Sequence, residues 1–224
     1  MRAVRIWFTK LGRLQYISHL DMNRLMTRII KRTDIPVWYT EGFNPHPYIT
    51  FLLPLSLFIQ SECEIIDIRI TDDDYSLDRV AGQLNAVMPD GMRIVRVAEA
   101  SGKATEIAFS QYDILIDPEG KADAALRKIN ECISGDELII VKKQKQGKKK
   151  VDREVNLIDE IHSYVVFLTD DKKVKIEIIL PSGTTKSVNP RLFTDALVSK
   201  AEIKTRNVSV TRKRIMNEKL EDFR

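Results

Sequence analysis

The first pattern in the chain is an alternation of apolar and polar positions in "RAVRIWFTK" (2–10), where β-branched and aromatic residues are frequent, and it predicts a strand. Apolar residues then recur at helical spacing from Met22 to Thr33. Ser18 precedes this stretch and is a suitable N-cap, whereas Pro36 prevents the helix from continuing. The pattern therefore predicts a strand followed by an amphipathic helix.

Along the rest of the chain, the same patterns predict two successive blocks of β-α-β-β-α-β. The first block continues with strands in "YITFLLPLSLF" and "CEIIDIRI", a helix in "SLDRVAGQLNAV" and a strand in "MRIVRVAEA". In the second block, the strands are "SQYDILI", "DELIIVKK", "HSYVVFLT", "KVKIEIIL" and "IKTRNVSVTRKRI", and the helices are "KADAALRKINECI" and "NPRLFTDALVSK". This order is that of the split βαβ, or ferredoxin-like, arrangement.

Small and polar residues in "EASGKATE" (99–106) indicate a boundary between the blocks. We therefore expect an α+β protein with two tandem ferredoxin-like domains, at residues 1–100 and 107–224, each with a mixed or antiparallel sheet. The second half contains an additional β element around "KKQKQGKKKVDREV", which we interpret as a basic hairpin insertion. A single mixed α+β domain is the alternative.

Composition narrows the class of protein. No apolar run approaches the roughly 20 residues that cross a bilayer, and the first residues lack the apolar core of a secretion signal. We therefore expect a cytoplasmic protein without a membrane partner.

The two cysteines, Cys63 and Cys132, are far apart and predict buried thiols. The motifs for nucleotide, dinucleotide and zinc-protease sites are absent. We expect no metal and no cofactor in this chain.

The formal net charge of +4 conceals strongly basic segments. The segment "KKQKQGKKK" (142–150) predicts either a solvated hairpin tip or a basic loop that binds nucleic acid electrostatically. Its lysines are Lys142, Lys143, Lys145, Lys148, Lys149 and Lys150.

The stretch "LQYISHLDMNRLMTR" (14–28) combines a helix start with several polar side chains. Ser18 and Asp21 have the spacing of a capping box, and an exposed helix N-terminus beside Arg13 is also suited to an anion. A basic row, with no acidic residue on it, lies opposite the apolar stripe and indicates either a solvated face or a phosphate-tracking surface. The row consists of Arg24, Arg28, Lys31 and Arg32.

The segment "EGFNPHP" (41–47) is rigid because its two prolines fix the backbone. It is either a structural turn or a loop that presents Phe43, Asn44, His46 and Tyr48 to an unpaired base. If His19 and His46 converge, three uses compete: acid–base cleavage of RNA, a metal site with Asp21, or substrate binding without chemistry. They are therefore candidate catalytic residues, and none is assigned. The candidate RNA- or anion-binding residues are Arg13, Tyr16, Ser18, His19, Asp21, Arg24, Arg28, Phe43, Asn44, His46 and the six lysines of 142–150.

With "YISHLD" at Tyr16 to Asp21, "GFNPHP" at Gly42 to Pro47 and the later "NPRLFTDAL", the chain resembles a bacterial family of unknown function, the radical-SAM-associated (radical-SAM-linked) proteins. The resemblance implies a radical-SAM protein as a partner, which would supply any radical chemistry. In element order alone, the chain is also similar to CRISPR repeat-associated RNA-binding proteins.

We therefore expect a noncatalytic RNA-binding accessory protein that works with a radical-SAM partner in RNA or ribosome-related modification. One alternative is a metal-independent RNA-processing enzyme that uses His19 and His46. The other is a protein adapter that docks onto the radical-SAM enzyme without binding nucleic acid, through the acidic stretch 62–78.

Overall fold

A computed structural model of the protein describes residues 1–146 and 149–224, apart from the side chains of residues 142–153. The chain forms two compact units: unit 1 contains Met1–Ile107 and Arg212–Arg224, and unit 2 contains Ala108–Thr211. The segment Arg212–Arg224 therefore lies in unit 1, whereas the predicted second domain includes it. The fold is α+β. No helix in the described part of the chain has the length and apolar character needed to cross a membrane.

Unit 1 has the predicted succession of elements. They are β1 (Arg2–Lys10), α1 (His19–Ile30), β2 (Ile49–Phe51), β3 (Ile59–Ile70), α2 (Leu77–Val87) and β4 (Ile94–Glu99). The strands are ordered β4-β1-β3-β2, and each neighbouring pair is antiparallel. A short 3-10 turn, Gly12–Tyr16, joins β1 to α1.

Both faces of the unit 1 sheet are covered. On one face, alternate β1 residues such as Ile6 and Phe8 pack against the apolar stripe of α1, including Met26. The other face carries Trp7 and Ile65. Apolar side chains from the end of the chain, with Ile107, pack against these two residues, so Arg212–Arg224 belongs to unit 1 because it completes this second apolar layer. The side chains involved are Ile107, Ile215 and Phe223.

Unit 2 repeats the strand order with an insertion. Its elements are β5 (Phe109–Pro118), α3 (Ala122–Ser134), β6 (Ile139–Gln146), β7 (Lys149–Asn156), β8 (Ser163–Leu168), β9 (Val174–Pro181), α4 (Pro190–Lys200) and β10 (Thr205–Met216), whose last five residues belong to unit 1. The sheet order is β10-β5-β9-β8. Between α3 and β8, the strands β6 and β7 form a separate antiparallel pair, from Ile139 opposite Asn156 to Gln146 opposite Lys149.

One face of the unit 2 sheet is apolar and the other is charged. Alternate residues of β5 and β9 are fully buried, as Ile114 and Ile176 show. The opposite face carries Lys175, whose Nζ lies 3.0 Å from Oδ2 of Asp113 and 2.7 Å from Oε1 of Glu177. These three side chains are partly exposed, so the second face of this sheet is polar.

Candidate nucleic-acid interface

The start of α1 is a capped helix N-terminus. The backbone N–H of Asp21 donates to Oγ of Ser18 at 3.1 Å, and the Ser18 hydroxyl donates to Oδ2 of Asp21 at 2.6 Å. The predicted N-cap is therefore confirmed, although the Asp21 carboxylate accepts from a hydroxyl where a capping box would use a backbone N–H. The hydrogen bond from Ser18, supported by the charge of Arg24, holds the pKa of the Asp21 carboxyl below its usual range.

The basic row on α1 is partly neutralised at its first position. Nη1 of Arg24 lies 3.4 Å from Oδ1 of Asp21, one turn earlier, so this arginine has an acidic partner that we did not predict. Arg28, Lys31 and Arg32 are exposed, and no described residue forms an ion pair with them. The uncompensated positive charge is therefore concentrated in the last turn of α1 and just after it.

The two candidate histidines have different neighbours. The exposed His19 ring meets the ring of Phe51 edge to face, with centroids 5.0 Å apart. Phe51 is the last residue of β2, whereas His46 lies three residues before the first, Ile49. His19 thus contacts the C-terminal end of β2, whereas His46 precedes its N-terminal end. Within the described residues, no group of three or more His, Cys, Asp or Glu side chains could hold a metal ion.

Residues 40–47 form a tied loop that we call the tongue. Its two sides are held together by a hydrogen bond from the Thr40 N–H to the His46 carbonyl, at 2.9 Å, and by a bridge between Tyr39 and Pro47. Nδ1 of His46 lies 3.0 Å from the carbonyl oxygen of Asn44 and 3.1 Å from Oγ1 of Thr40. These two contacts tie the His46 ring to the tongue, and a hydrogen bond to the carbonyl, which only accepts, requires the proton on Nδ1.

Phe43 stands at the tip of the tongue with its side chain fully exposed. Gly42 before it has a φ of +120°, a backbone conformation that favours glycine and lets the chain bend there. Asn44 and Pro45 are also exposed. The tongue therefore presents an aromatic ring to solvent from a short, internally bonded loop.

Tyr48 packs at the base of the tongue with two residues that were not predicted, Trp38 and Arg69. The guanidinium carbon of Arg69 lies 4.7 Å from the ring centre of Tyr48 and 5.4 Å from that of Trp38, and the two rings are 5.5 Å apart. The Trp38 N–H donates to the Arg69 carbonyl at 2.8 Å. Trp38 and Tyr48 flank the proline motif in the sequence, but Arg69 comes from β3 and only the sheet brings it there.

A second unpredicted group is a set of buried charges near the start of α1. Lys10, Glu64 and Arg212 are each at most 2% exposed. Arg212 donates to the Glu64 carboxylate and, at 3.0 Å, to the carbonyl of Leu53. Lys10 places Nζ 3.5 Å from the carbonyl of Ile17, and burial lowers the pKa of this amine while Glu64 opposes the effect. Glu64 lies on the same face of β3 as three buried isoleucines, because alternate residues of a strand point to the same side. This spacing is a sequence signal that could have revealed its burial.

The remaining predicted site residues have less defined surroundings. Arg13 is exposed in the 3-10 turn, and no described residue bonds to its guanidinium. Tyr16, in the same turn, is 62% exposed. The lysines of the basic segment lie outside the described residues: Lys148 entirely, and the side chains of Lys142, Lys143, Lys145, Lys149 and Lys150.

Comparisons with known proteins place the chain in a family. Residues 3–190 match the family described as "Uncharacterized protein conserved in bacteria (DUF2344)". The chain belongs to this family. No curated protein matches it in sequence. The solved structure "Crystal Structure of a Cbf5-Nop10-Gar1 Complex" is similar with a TM-score of 0.46 and 11% identity, over 96% of this chain and 50% of that one. The chain thus spans about half the length of that protein.

Proposed function

We propose that the protein binds unpaired RNA through unit 1 and that Phe43 stacks on a base. The observation that carries this proposal is the complete exposure of the Phe43 ring at the tip of a loop tied by His46 and Thr40. A turn needs glycine and proline, but it gains nothing from an aromatic ring in water. A preorganised exposed ring is what single-strand binding uses, because every base has a face on which to stack.

The charges near the tongue suit the same ligand. Seven residues, 31–37, connect the end of α1 to Trp38, so the cationic last turn of the helix leads into the base of the tongue. Arg28, Lys31 and Arg32 can therefore meet phosphates of a strand whose base contacts the tongue. Arg69, stacked on Trp38 and Tyr48, adds a planar cation near the same place.

The wider role that we propose combines this binding with the family resemblance. Each unit has the strand order of a ferredoxin-like domain, which supports our assignment of two such domains in tandem. In this proposal the protein is an RNA-binding accessory to a radical-SAM partner in RNA or ribosome-related modification. The partner supplies the cofactor and the chemistry.

The two alternative functions have less support in the geometry. A cleavage enzyme using His19 and His46 would need them on either side of one phosphate, yet His19 packs on Phe51 and His46 is bonded within the tongue. An adapter that uses the acidic stretch 62–78 loses two of its charges. Glu64 is buried against Arg212, and Asp67 forms an ion pair with Arg5 at 2.8 Å.

The test is fluorescence anisotropy with an unstructured RNA 12-mer and with a hairpin of the same composition, at several salt concentrations. Phe43→Ala should weaken binding to the unstructured RNA by about 1–3 kcal/mol, with the salt slope unchanged, because the ring contributes stacking and no charge. Phe43→Trp should retain the affinity. The matched control is Val95→Ala, which removes another exposed apolar side chain, from β4 of the same unit.

Three results would contradict the proposal. One is the absence of saturable binding to either RNA at low salt. The other is wild-type affinity in a folded Phe43→Ala protein, with its fold checked by circular dichroism. Stronger binding to the hairpin stem than to the unstructured strand would also count against it, because the stem offers no free base face.

A further inference from the structure

A second exposed aromatic group lies at the start of α1. The rings of Tyr16 and Phe58 are 6.1 Å apart in an edge-to-face arrangement, and the residues are 62% and 50% exposed. The Phe58 N–H donates to the carbonyl of Gln15 at 2.8 Å, which anchors the loop before β3 to the 3-10 turn. The pair, which we call the Tyr16–Phe58 platform, is therefore held in place by the backbone while both rings remain open to solvent.

The backbone of Phe58 is left-handed, with a φ of +64°. This conformation costs an L-residue free energy that glycine does not pay, and a bulky side chain rarely adopts it. Gly12, in the turn beside the platform, takes a similar φ of +59° without that cost. Since a glycine would also serve the loop at position 58, the geometry of the turn does not account for a phenylalanine there. An exposed ring does account for it.

The charges around the platform favour an anionic ligand. Arg13 lies in the same 3-10 turn as Tyr16, is exposed and has no acidic partner among the described residues. The carboxylate of Asp21, in the first turn of α1, is already bonded to Ser18 and Arg24. A planar aromatic surface beside an unpaired guanidinium matches a nucleobase with its phosphate.

We infer that the Tyr16–Phe58 platform is a second base-stacking site for the same unpaired RNA strand that contacts the tongue. This inference rests on the proposed function. The platform adjoins the first residue of α1, and the tongue follows its last turn. The twelve residues of α1 span about 18 Å, so a strand bound at both sites runs along the helix past the basic row. Binding at the second site is then intramolecular and raises the affinity.

Two consequences distinguish this arrangement from a single site at Phe43. Affinity should rise with oligonucleotide length until one strand reaches both sites, and then level off. Removing the Phe58 ring should abolish the part of the affinity that depends on length. A single stacking site at the tongue would instead give an affinity that depends only weakly on length once the base and its neighbouring phosphates are present.

The experiment measures the affinity of unstructured RNAs of increasing length for the wild type, Phe58→Gly and Phe43→Ala. Phe58→Gly should weaken binding to the longest RNA by about 5- to 150-fold and should flatten the length dependence. Its melting temperature should not fall, because glycine relieves the left-handed strain, and this separates loss of binding from loss of fold. Phe58→Tyr, which keeps a ring on the same backbone, should bind like the wild type, and so should the neighbouring Leu57→Ala.

The outcomes separate this inference from the proposal on which it rests. RNA binding that is weakened by Phe43→Ala and unaffected by Phe58→Gly would overturn the second site alone, and would leave the platform as a surface for a protein. No RNA binding by the wild type would overturn the proposed function and the second site together. An equal loss in Phe58→Gly and Leu57→Ala would also contradict stacking, because only one of these changes removes a ring.

Discussion

The two units have the same strand order but use one equivalent connection differently. In each unit, the segment between the first helix and the second strand is long: residues 31–48 in unit 1 and 135–162 in unit 2. Unit 1 makes it a tied loop with an aromatic tip, whereas unit 2 makes it the β6–β7 hairpin with a lysine-rich sequence. The topology thus determines where a long connection is tolerated, because the core holds its two ends. The residues of the connection determine what it can bind.

The units also differ in where they keep their charges. In unit 1, the carboxylate of Glu64 and the guanidinium of Arg212 are both buried. In unit 2, the corresponding network of Lys175, Asp113 and Glu177 lies on the uncovered side of the sheet and is partly exposed. Similar residue types should therefore contribute very differently to stability, because water screens the second set and cannot reach the first. Most of the predictions below pair one residue from each unit.

The largest difference is expected between Glu64→Ala and Glu177→Ala. Removing Glu64 takes a buried carboxylate away from Arg212 and Lys10, and the free energy of unfolding should fall by about 3–5 kcal/mol. Removing Glu177 should cost about 1 kcal/mol or less, since Lys175 keeps Asp113. Urea denaturation followed by circular dichroism measures both. Equal losses would show that burial does not separate the two networks.

A smaller effect is expected from adding a methyl group at Gly91 or Gly120. Gly91 has a φ of +86°, and a Cβ there would lie 2.4 Å from the carbonyl oxygen of Leu11, so Gly91→Ala should destabilise unit 1 by about 1–3 kcal/mol. Gly120, before α3, has open space around it and a negative φ. Gly120→Ala should therefore change stability by no more than about 0.5 kcal/mol. Thermal unfolding of the two variants measures this difference. A Gly91→Ala protein as stable as the wild type would contradict the prediction.

The two cysteines should differ in reactivity and in their effect at alkaline pH. Burial raises the pKa of Cys63 to about 11, and it also raises the pKa of the less buried Cys132. A thiol reagent at pH 8 should modify Cys132 in unit 2 first, because the thiolate is the reactive form. Faster modification of Cys63 in the folded protein would contradict this assignment.

The sign of the pH effect follows from the raised pKa. Between pH 9 and pH 11 the unfolded Cys63 loses its proton before the folded one does, so stability falls as the pH rises. The loss should be on the order of 1 kcal/mol at pH 10. Cys63→Ala should abolish this loss of stability between pH 8 and pH 10, whereas Cys132→Ala should leave it in place. Urea titrations at the two pH values measure the difference.

The smallest effects are expected at the helix caps, where the units should behave alike. Ser18 caps α1, and Asn189 caps α4 by accepting from the Arg191 N–H at 2.9 Å. Replacing either cap by alanine should cost roughly 0.5–1 kcal/mol. In Ser18→Ala, the pKa of Asp21 should rise toward its ordinary value, which NMR titration of the carboxyl would detect. A cost at only one cap would show that the caps are not equivalent.

Asp21 also has a defined pH dependence. Its folded pKa is depressed, so the stabilisation from its bonds to Ser18 and Arg24 is present above pH 4 and is lost as the pH falls through the folded pKa. The fall in the free energy of unfolding at low pH should be smaller in Ser18→Ala than in the wild type. The reason is that the hydrogen bond from Ser18 is the main cause of the depressed pKa of Asp21.

Local pattern was sufficient for several parts of the structure. The apolar spacing from Met22 onward and the serine before it predicted α1 and its cap, since both depend on residues within four positions of one another. The alternation in β1 predicted a strand with one apolar face against the helix. The apolar surroundings of Cys63 and Cys132 predicted buried thiols, but both residues are only partly buried, because the packing around them is set by distant segments.

Contacts across long stretches of sequence could not be predicted in this way. Glu64 and Arg212 are 148 positions apart, and Arg69 reaches the rings of Trp38 and Tyr48 only because β3 carries it there. Whether His19 and His46 share a site depends on the path of the loop, which local pattern does not determine. In the structure, His19 contacts Phe51 at the end of β2, and His46 lies three residues before the start of that strand.

The sequence by itself determined the periodic elements, their order and the residues available at each motif, because hydrophobic periodicity and capping act over one or two turns of chain. Only the tertiary structure decided that Arg212–Arg224 packs in unit 1, that Phe43 remains fully exposed and that Tyr16 meets Phe58. Those outcomes depend on which apolar faces cover one another and on how strands pair. Both are properties of the assembled chain, because burial and pairing are shared between distant segments.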